Sequence, residues 1–442
     1  MQEIRVLAPT GMLGSGFPEA SLQLGMDMNP DVIGCDAGTT DSGPADLATG
    51  TSHHSASAYR RDLRLILAAA RTRRIPLIIG SAGGAGADPN LDWTRKILEQ
   101  VAKEQDLHFR LGIIHASQDR AYLKRKLAEG KIHPLPNSPD LTEAIIDRSL
   151  NIVGMMGCEP IIHALQAGAD VVLAGRSSDT SIYAAVPVMK GFAHGPVWHA
   201  AKILECGAAS VENRPAPDCM FAIIDDSGFV ARAPNPKLRC TPVSIAAHSL
   251  YENGDPFRMT EPSGVLDLTA SVYEQYDDRS VRVTGSRFIR SNPYTIKLEG
   301  AELIGYQTVS IAGIRDPVVV ENIDQYLAAC EQRIRERVAS SFPDAKPGSW
   351  KLVYRVYGRD GTLGRLEPVK SATPHELGLV IEVTAETQDL ANSLMGTIRH
   401  QTLHQSVPQW TGLVSNIALP YGSTNLVRGP VFTFNMNCVV EP

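Results

Sequence analysis

The stretch that most constrains the fold of this chain runs from Ala169 to Ala185, ADVVLAGRSSDTSIYAA. Its apolar, β-branched run 170–174 has no polar alternation, which is typical of a strand buried on both faces, as in a parallel sheet. Gly175 ends the run, and a polar loop then leads to a helical pattern that opens at Ser181. Because ligands of open α/β sheets bind at the carboxyl ends of the strands, this loop is predicted to lie at a binding edge.

The polar loop itself offers the chemistry of an anion site. Arg176 carries a fixed positive charge, Ser178 and Thr180 carry hydroxyl groups, and Asp179 carries a carboxylate beside the amides of a helix N-terminus. Such a set can bind a carboxylate or a phosphate. In the alternative interpretation Asp179 caps the helix and Arg176 pairs with it. The sequence leaves both open, so Asp179 is a candidate catalytic residue and the other three are candidate substrate-binding residues.

The succession of strand, polar loop and helix recurs about six times over the first 190 residues. This rhythm predicts a parallel α/β domain, either doubly wound or barrel-like, with its polar loops along one edge. The predicted strands are Ile4–Ala8, Asp31–Asp36, Pro76–Gly80, Phe109–His115, Ile152–Met156 and Asp170–Ala174.

The loop after the second strand, CDAGTTDSGP, is dense in acid and hydroxyl groups. Asp36 and Asp41 are predicted to act in acid/base catalysis, with Thr39 and Thr40 binding substrate. The same two carboxylates could bind a divalent metal together with the two consecutive histidines His53–His54, which precede the next helix. The alternative is a set of turn and cap residues with two solvated histidines.

A glycine-rich loop, GSAGGAGAD, follows the third strand. Ser81, Gly83 and Gly84 are predicted to bind an anion through close backbone approach, and a tight strand-to-helix turn is the alternative. The loop lacks the Lys-Ser/Thr of a nucleoside-triphosphate site. The spacing of the earlier glycines, GMLGSG, is not the dinucleotide fingerprint, so no dinucleotide cofactor is expected. His115, at the end of the fourth strand, is a further candidate acid/base; a histidine satisfied by nearby backbone is its alternative.

Length and composition set the remaining limits. A chain of 442 residues predicts two or three domains, here 1–195 (parallel α/β), 196–345 (mixed α+β) and 346–442 (a small ferredoxin-like α+β layer). The net charge of −6 argues against general nucleic-acid binding. The chain shows no apolar run of spanning length and no signal segment, and its seven cysteines form no CxxC pair, so a cytoplasmic protein with reduced thiols is expected.

Several motifs together resemble the acyclic terpene utilisation (AtuA-like) family. They are GADVVLAGRSSDTSIYAAVPV, HAAKILECGA, PSGVLDLTASVYEQY, in which a helix is expected from Leu266 to Tyr276, and VYGRDGTLG. The resemblance runs from the first strand to about Gly364. It implies a role in the breakdown of branched acyclic terpenoid acids through acyl-CoA intermediates. The family's precedent and the size of the chain also imply that the protein is a homo-oligomer. The acid- and hydroxyl-rich second loop favours a small polar acid as substrate.

Two functions are consistent with these features. The first is an enzyme of small-acid or acyl-CoA catabolism that abstracts a proton next to a carbonyl, as a hydratase, dehydratase, isomerase or lyase does. Arg176 would then hold the carboxylate, and Asp36, Asp41 or His115 would move the proton. The second is a non-catalytic subunit that binds a ligand or a small partner subunit within a catabolic complex, because no complete nucleophile–base–acid signature is present. The cofactor is left open, with a divalent metal as the one candidate.

Overall fold

The structure is a computed structural model that describes residues 2–214, 216–370, 374–407, 415–422 and 424–442. The chain divides into two compact units. The first comprises Met1–Glu302 and Thr433–Pro442, and the second comprises Leu303–Phe432. The predicted three-domain division remains a prediction.

The first unit is built on a nine-stranded sheet whose centre is parallel. Its strand order is β12-β13-β9-β8-β1-β2-β3-β7-β4. The neighbours from β1 to β4 in this order are parallel, and β8, β9, β13 and β12 extend the β1 edge by antiparallel pairing. The strands are β1 (Ile4–Ala8), β2 (Val32–Asp36), β3 (Leu77–Gly80), β4 (Leu111–Ile114), β7 (Val171–Ala174), β8 (Met220–Asp225), β9 (Gly228–Arg232), β12 (Val272–Asp277) and β13 (Ser280–Thr284).

Both faces of this sheet are covered by helices, because its central strands are apolar on both sides. On β1, Val6 contributes to a core that includes Ile182 and Trp198, whereas Leu7 points to the other face and a core that includes Leu63 and Leu98. The sheet is therefore open and doubly covered, as the first of the two predicted architectures requires. The helices of this unit are α1 (Glu19–Asp27), α2 (Ala45–Thr49), α3 (Ala56–Arg73), α4 (Asp88–Glu104), α5 (Arg120–Ala128), α6 (Glu143–Arg148), α7 (Glu159–Gln166), α8 (Asp179–Met189), α9 (His194–Leu204) and α10 (Pro242–Ser249).

Smaller antiparallel pairings complete the first unit. β10 (Arg258–Glu261), β11 (Gly264–Asp267) and β14 (Arg287–Arg290) form a three-stranded sheet. β5 (Ile132–Pro134) pairs with the end of β18 (Leu426–Val440), and β6 (Asn151–Met155) pairs with the start of β15 (Ile296–Ile314). β15 and β18 thus contribute residues to both units.

The second unit is an antiparallel sheet backed by helices. Along the chain it reads β15, α11 (Pro317–Glu321), α12 (Ile323–Ser341), β16 (Trp350–Tyr357), β17 (Leu377–Ala385), α13 (Gln388–Leu403) and β18, and its strands lie in the order β16-β17-β15-β18. This is the βαββαβ arrangement of a ferredoxin-like fold. Such a layer was expected within 346–442, but its first strand and first helix, β15 and α12, precede residue 346. Among the described residues of the whole chain, no helix is long and apolar enough to cross a membrane.

Three local predictions differ from the structure. The helix expected from Leu266 to Tyr276 is instead the end of β11 and most of β12, because these segments pair with β14 and β13. The strand at 152–156 was expected in the parallel sheet, but β6 pairs antiparallel with β15. The segment Ile132–Pro134 was not among the predicted strands, but it forms β5, whose partner strand lies about 300 residues further along the chain.

Candidate active site

The carboxyl ends of four neighbouring parallel strands meet at one edge of the large sheet. β1 ends before Thr10, β2 ends at Asp36, β3 leads to Ser81, and β7 leads to Arg176. The loop after β6 also reaches this edge, because the amide of Met156 donates to the carbonyl of Arg176 at 3.1 Å. The edge therefore gathers most of the polar loops that the sequence predicted to converge.

Glycines let these loops pack against one another. Gly83 and Gly84 adopt left-handed backbone with φ of 74° and 107°. A Cβ on Gly38 would lie 1.7 Å from the carbonyl oxygen of Gly84, and one on Gly86 would lie 2.3 Å from the amide nitrogen of Arg176. Other backbone therefore occupies the space beside Gly38 and Gly86, as tight packing of the loops requires. Anion binding by Ser81, Gly83 and Gly84 stays a prediction.

Arg176 is buried and its guanidinium is held by protein groups. Its Nε donates to Glu299 on β15 at 2.9 Å, and its terminal nitrogens donate to Thr40 at 3.3 Å and Ser81 at 3.4 Å. Asp179 lies 3.8 Å away, which is the pairing named as the alternative interpretation. With these partners in place the geometry favours a structural role for Arg176, and substrate binding by it stays a prediction.

Glu299 is the buried counter-ion that the sequence did not reveal. Besides Arg176, it accepts a hydrogen bond from Lys297 at 2.9 Å and one from Thr40 at 3.4 Å. Burial alone raises the pKa of this carboxyl, but the charges of Arg176 and Lys297 outweigh burial and lower the pKa to about 2. Glu299 is therefore ionised at neutral pH and fixes the position of Arg176.

Two clefts open beside this framework, both within the first unit. The larger cleft, of about 440 Å³, lies between the loop after β7, the end of α9 and β10. The smaller cleft, of about 280 Å³, lies between the loops after β1 and β2 and the segment after α10. Asp179, Glu205 and Glu252 line both clefts. Arg176 and Ser178 also line the larger cleft, and Asp36, Thr39 and Asp41 line the smaller one.

Carboxyl groups in and around the clefts hold their protons more tightly than usual. The Asp179 side chain is 38% exposed, and the partial loss of solvent around its carboxyl group raises its pKa to about 6, against the lowering effect of Arg176 and Lys202. Burial and the nearby charge of Asp179 raise the pKa of Asp36 well above its ordinary range. Burial likewise raises the pKa of Glu261 to about 7, against hydrogen bonds from Ser178 and Thr180. Such shifts concentrate at functional sites.

Lys202 and Glu205 form a buried ion pair at the end of α9. Lys202 Nζ donates to Glu205 Oε1, and the two residues are 3% and 5% exposed. Sequence reasoning missed this pair, although KILECGA was noted as a family motif. The available signal was the chemistry of the segment: a lysine and a glutamate three residues apart end an otherwise apolar stretch, and charged groups are buried only when they are paired.

Several of the remaining predicted residues line neither cleft. His115 is exposed and its Nδ1 lies 3.1 Å from Asp88. Thr180 is buried, with its hydroxyl 2.8 Å from that of Ser178. The described residues that line the two clefts do not include Thr40, Ser81, Gly83, Gly84, His115 or Thr180.

The predicted metal ligands are not gathered into one group. His53 is exposed, and His54 Nε2 lies 3.2 Å from Met12 Sδ. Asp36 accepts from the amide of Ala37 at 2.9 Å. In the described part of the chain, the group of metal-type donors that converges is Glu205, Cys206 and His248. Metal binding by Asp36, Asp41, His53 and His54 stays a prediction.

Glu261 gives the fold a pH dependence that can be measured. Its pKa in the folded protein is about 7, above the ordinary 4.5, so its contribution to the free energy of unfolding is full below about pH 4.5 and is lost as pH rises through 7. This pKa shift corresponds to a change of about 3 kcal/mol in the free energy of unfolding. In Glu261→Gln the side chain is neutral at every pH. This variant should therefore lack the part of the decrease in the free energy of unfolding between pH 5 and pH 8 that Glu261 causes, as measured by urea unfolding.

The matched control for that experiment is Glu274→Gln on the exposed strand β12, which should keep the wild-type dependence. Parallel pH profiles for wild type and Glu261→Gln would contradict the prediction. They would mean that the Glu261 carboxyl is already ionised without cost in the folded protein.

Comparison with known proteins adds the family. The sequence model of the family described as "Acyclic terpene utilisation family protein AtuA" matches residues 4–425, nearly the whole chain. No curated protein and no solved structure was found to be significantly similar to this chain.

Proposed function

The chain belongs to the acyclic terpene utilisation (AtuA) family, and from that premise we propose that it is a catabolic enzyme of the lyase or isomerase type. It acts on a small carboxylic acid or its acyl-CoA thioester by moving a proton on the carbon next to the carbonyl group. The family description gives the catabolic setting, and the chemistry of the clefts supports the reaction class.

The observation that carries the proposal is the position of Asp179. Its side chain is 38% exposed and lines both clefts, whereas Arg176 beside it is buried. Asp179 is also the first residue of α8, so backbone amides of a helix N-terminus point toward the same space. A carboxylate that is accessible to a ligand and framed by a rigid strand–loop–helix unit has the placement of a general base.

Acid and base roles follow from the environments of two carboxyl groups. With a pKa of about 6, Asp179 is mostly ionised at neutral pH and can accept a proton. With a pKa of about 7, Glu261 keeps its proton on about half of the molecules and can return one. Both residues line the larger cleft, so one ligand there can reach both.

The proposed step is balanced within the site. Asp179 takes the proton from the carbon next to the carbonyl, and the electron pair of that bond moves to the carbonyl oxygen. The negative charge on this oxygen is stabilised by the ammonium group of Lys202, which lines the same cleft. If the substrate is β,γ-unsaturated, the enolate extends over the double bond, and transfer of a proton from Glu261 to the γ-carbon completes an isomerisation. If the substrate carries a β-hydroxyl group, the electron pair returns from the carbonyl oxygen to form the Cα=Cβ bond while Glu261 protonates the departing hydroxyl, which leaves as water. Proton exchange with solvent then restores the ionised Asp179 and the protonated Glu261.

The test is hydrogen exchange in D₂O with a panel of short branched carboxylic acids and their CoA thioesters, saturated and α,β-unsaturated, followed by NMR. We expect deuterium to enter next to the carbonyl of one compound class. The pH–rate profile should have a rising limb, with an apparent pKa of about 6, because Asp179 becomes ionised over this pH range. Tight binding of a panel compound without any exchange, hydration or isomerisation would favour the ligand-binding subunit instead.

A further inference from the structure

Three potential metal ligands converge at the end of α9. Glu205 and Cys206 directly follow this helix, and His248 lies on α10, which contacts α9. One ligand atom from each of the three lies within 4.8 Å of the others. A tetrahedral ion with ligands at about 2.0–2.3 Å holds its ligand atoms roughly 3–4 Å apart, so small side-chain rotations bring these three into coordination.

His248 supplies an independent indication of a ligand. The residue is 6% exposed, and its Nε2 atom is buried without a hydrogen-bond partner among the described residues. The imidazole stacks on Tyr251 with ring centroids 5.4 Å apart, which fixes the plane of the ring. A buried polar atom is nearly always paired in a native protein, so an unpaired histidine nitrogen beside a thiol and a carboxyl calls for a partner.

We propose that Glu205, Cys206 and His248 bind a zinc-type divalent ion at the wall of the smaller cleft. Nitrogen, sulfur and oxygen donors together suit Zn²⁺, whereas Mg²⁺ and Ca²⁺ prefer oxygen alone. Glu205 and Cys206 line the smaller cleft, so a fourth coordination position faces a space that a water or a ligand oxygen can enter.

The ion pair at Glu205 is compatible with such an ion. The hydrogen bond from Lys202 goes to Oε1, which leaves Oε2 for coordination. The charge of a divalent ion is balanced by the Cys206 thiolate and the Glu205 carboxylate, so the metal centre is neutral. The ammonium group of Lys202 then lies beside a centre without net charge. No metal ligand predicted from the sequence belongs to this set.

The experiment measures metal binding without substrate, so its result is separate from that of the proposed reaction. Protein freed of metal by chelation is titrated with Zn²⁺ and, separately, with Co²⁺ as a spectroscopic probe. We expect one ion per chain, a rise in Tm with Zn²⁺, and thiolate-to-cobalt charge-transfer absorption with Co²⁺. Absence of stoichiometric binding, or bound Co²⁺ without the thiolate band, overturns the proposal.

Variants assign the ligands. Cys206→Ser and His248→Gln should each weaken Zn²⁺ binding by about 100-fold or more, because loss of an outer partner of a ligand already costs 10- to 100-fold. Cys240→Ser, at a buried cysteine outside the group, should bind as wild type does. Wild-type affinity in both ligand variants overturns the assignment. If either variant fails to fold, the wild-type cobalt spectrum alone decides.

Discussion

Replacing Arg176 with methionine should lower the free energy of unfolding by about 3–5 kcal/mol, measured by urea denaturation at pH 7. Methionine keeps the unbranched, apolar stem, so the loss reports mainly on charge and hydrogen bonding. Glu299 would remain 5% exposed and lose the guanidinium that lies 2.9 Å from it. Thr40 and Ser81 would lose the same partner. The largest of these costs falls on the buried Glu299 carboxylate, which keeps Lys297 but loses its buried cationic partner.

A second arginine–glutamate pair in the same unit provides the control. Arg148 Nε also lies 2.9 Å from a carboxylate oxygen, that of Glu302, but the arginine side chain is 57% exposed. Arg148→Met should therefore change the free energy of unfolding by less than about 1 kcal/mol. Distance and donor atom are the same in the two pairs, so the difference between the variants reports on burial together with the further hydrogen bonds that Arg176 donates to Thr40 and Ser81.

The double variant Arg176→Met/Glu299→Met separates pairing from packing. Replacement of a whole buried ion pair by apolar residues is often neutral or stabilising, so the double variant should recover much of the stability that Arg176→Met loses. A loss below about 1 kcal/mol in Arg176→Met would contradict the structural role. In that case Arg176 would be free to hold a substrate carboxylate, as the sequence first suggested.

The parallel half of the fold was predictable because its signals are local. Each strand from β1 to β7 in the large sheet is an apolar run that leads into a polar loop, and Ile4–Ala8 was placed to the residue. The errors fall where a distant partner decides the structure. Val272–Asp277 is a strand because β13 pairs with it, and β5 is a strand because the far end of the chain lies beside it.

The same distinction applies to the site. Asp36 ends an apolar strand, and Arg176 and Asp179 follow one, so their place at the edge of the sheet could be predicted from the sequence. Glu261 and Glu299 come from later strands, 82 and 120 residues beyond Asp179, and no spacing rule links them to it. Their roles depend on burial and on partners such as Ser178 and Arg176, which only tertiary structure supplies.

Asp179→Asn should lower kcat by about 10²- to 10⁴-fold on whichever substrate shows exchange, with little change in KM. The amide occupies the same volume but cannot accept a proton from carbon. Folding should be little affected, because the site already raises the pKa of Asp179 and so favours a neutral group there. We expect the free energy of unfolding of this variant to stay within about 1 kcal/mol of wild type.

Two further readouts distinguish a base from a residue that merely shapes the cleft. The rate limb near pH 6 should be absent from the residual activity of Asp179→Asn, because the group that titrates there is gone. Asp278→Asn, at the exposed turn between β12 and β13, should keep both the rate and the limb. A variant that loses activity but keeps the limb would assign the proton transfer to another carboxyl. Glu261 is then the first to test, because it lines the same cleft and its pKa is also raised, to about 7.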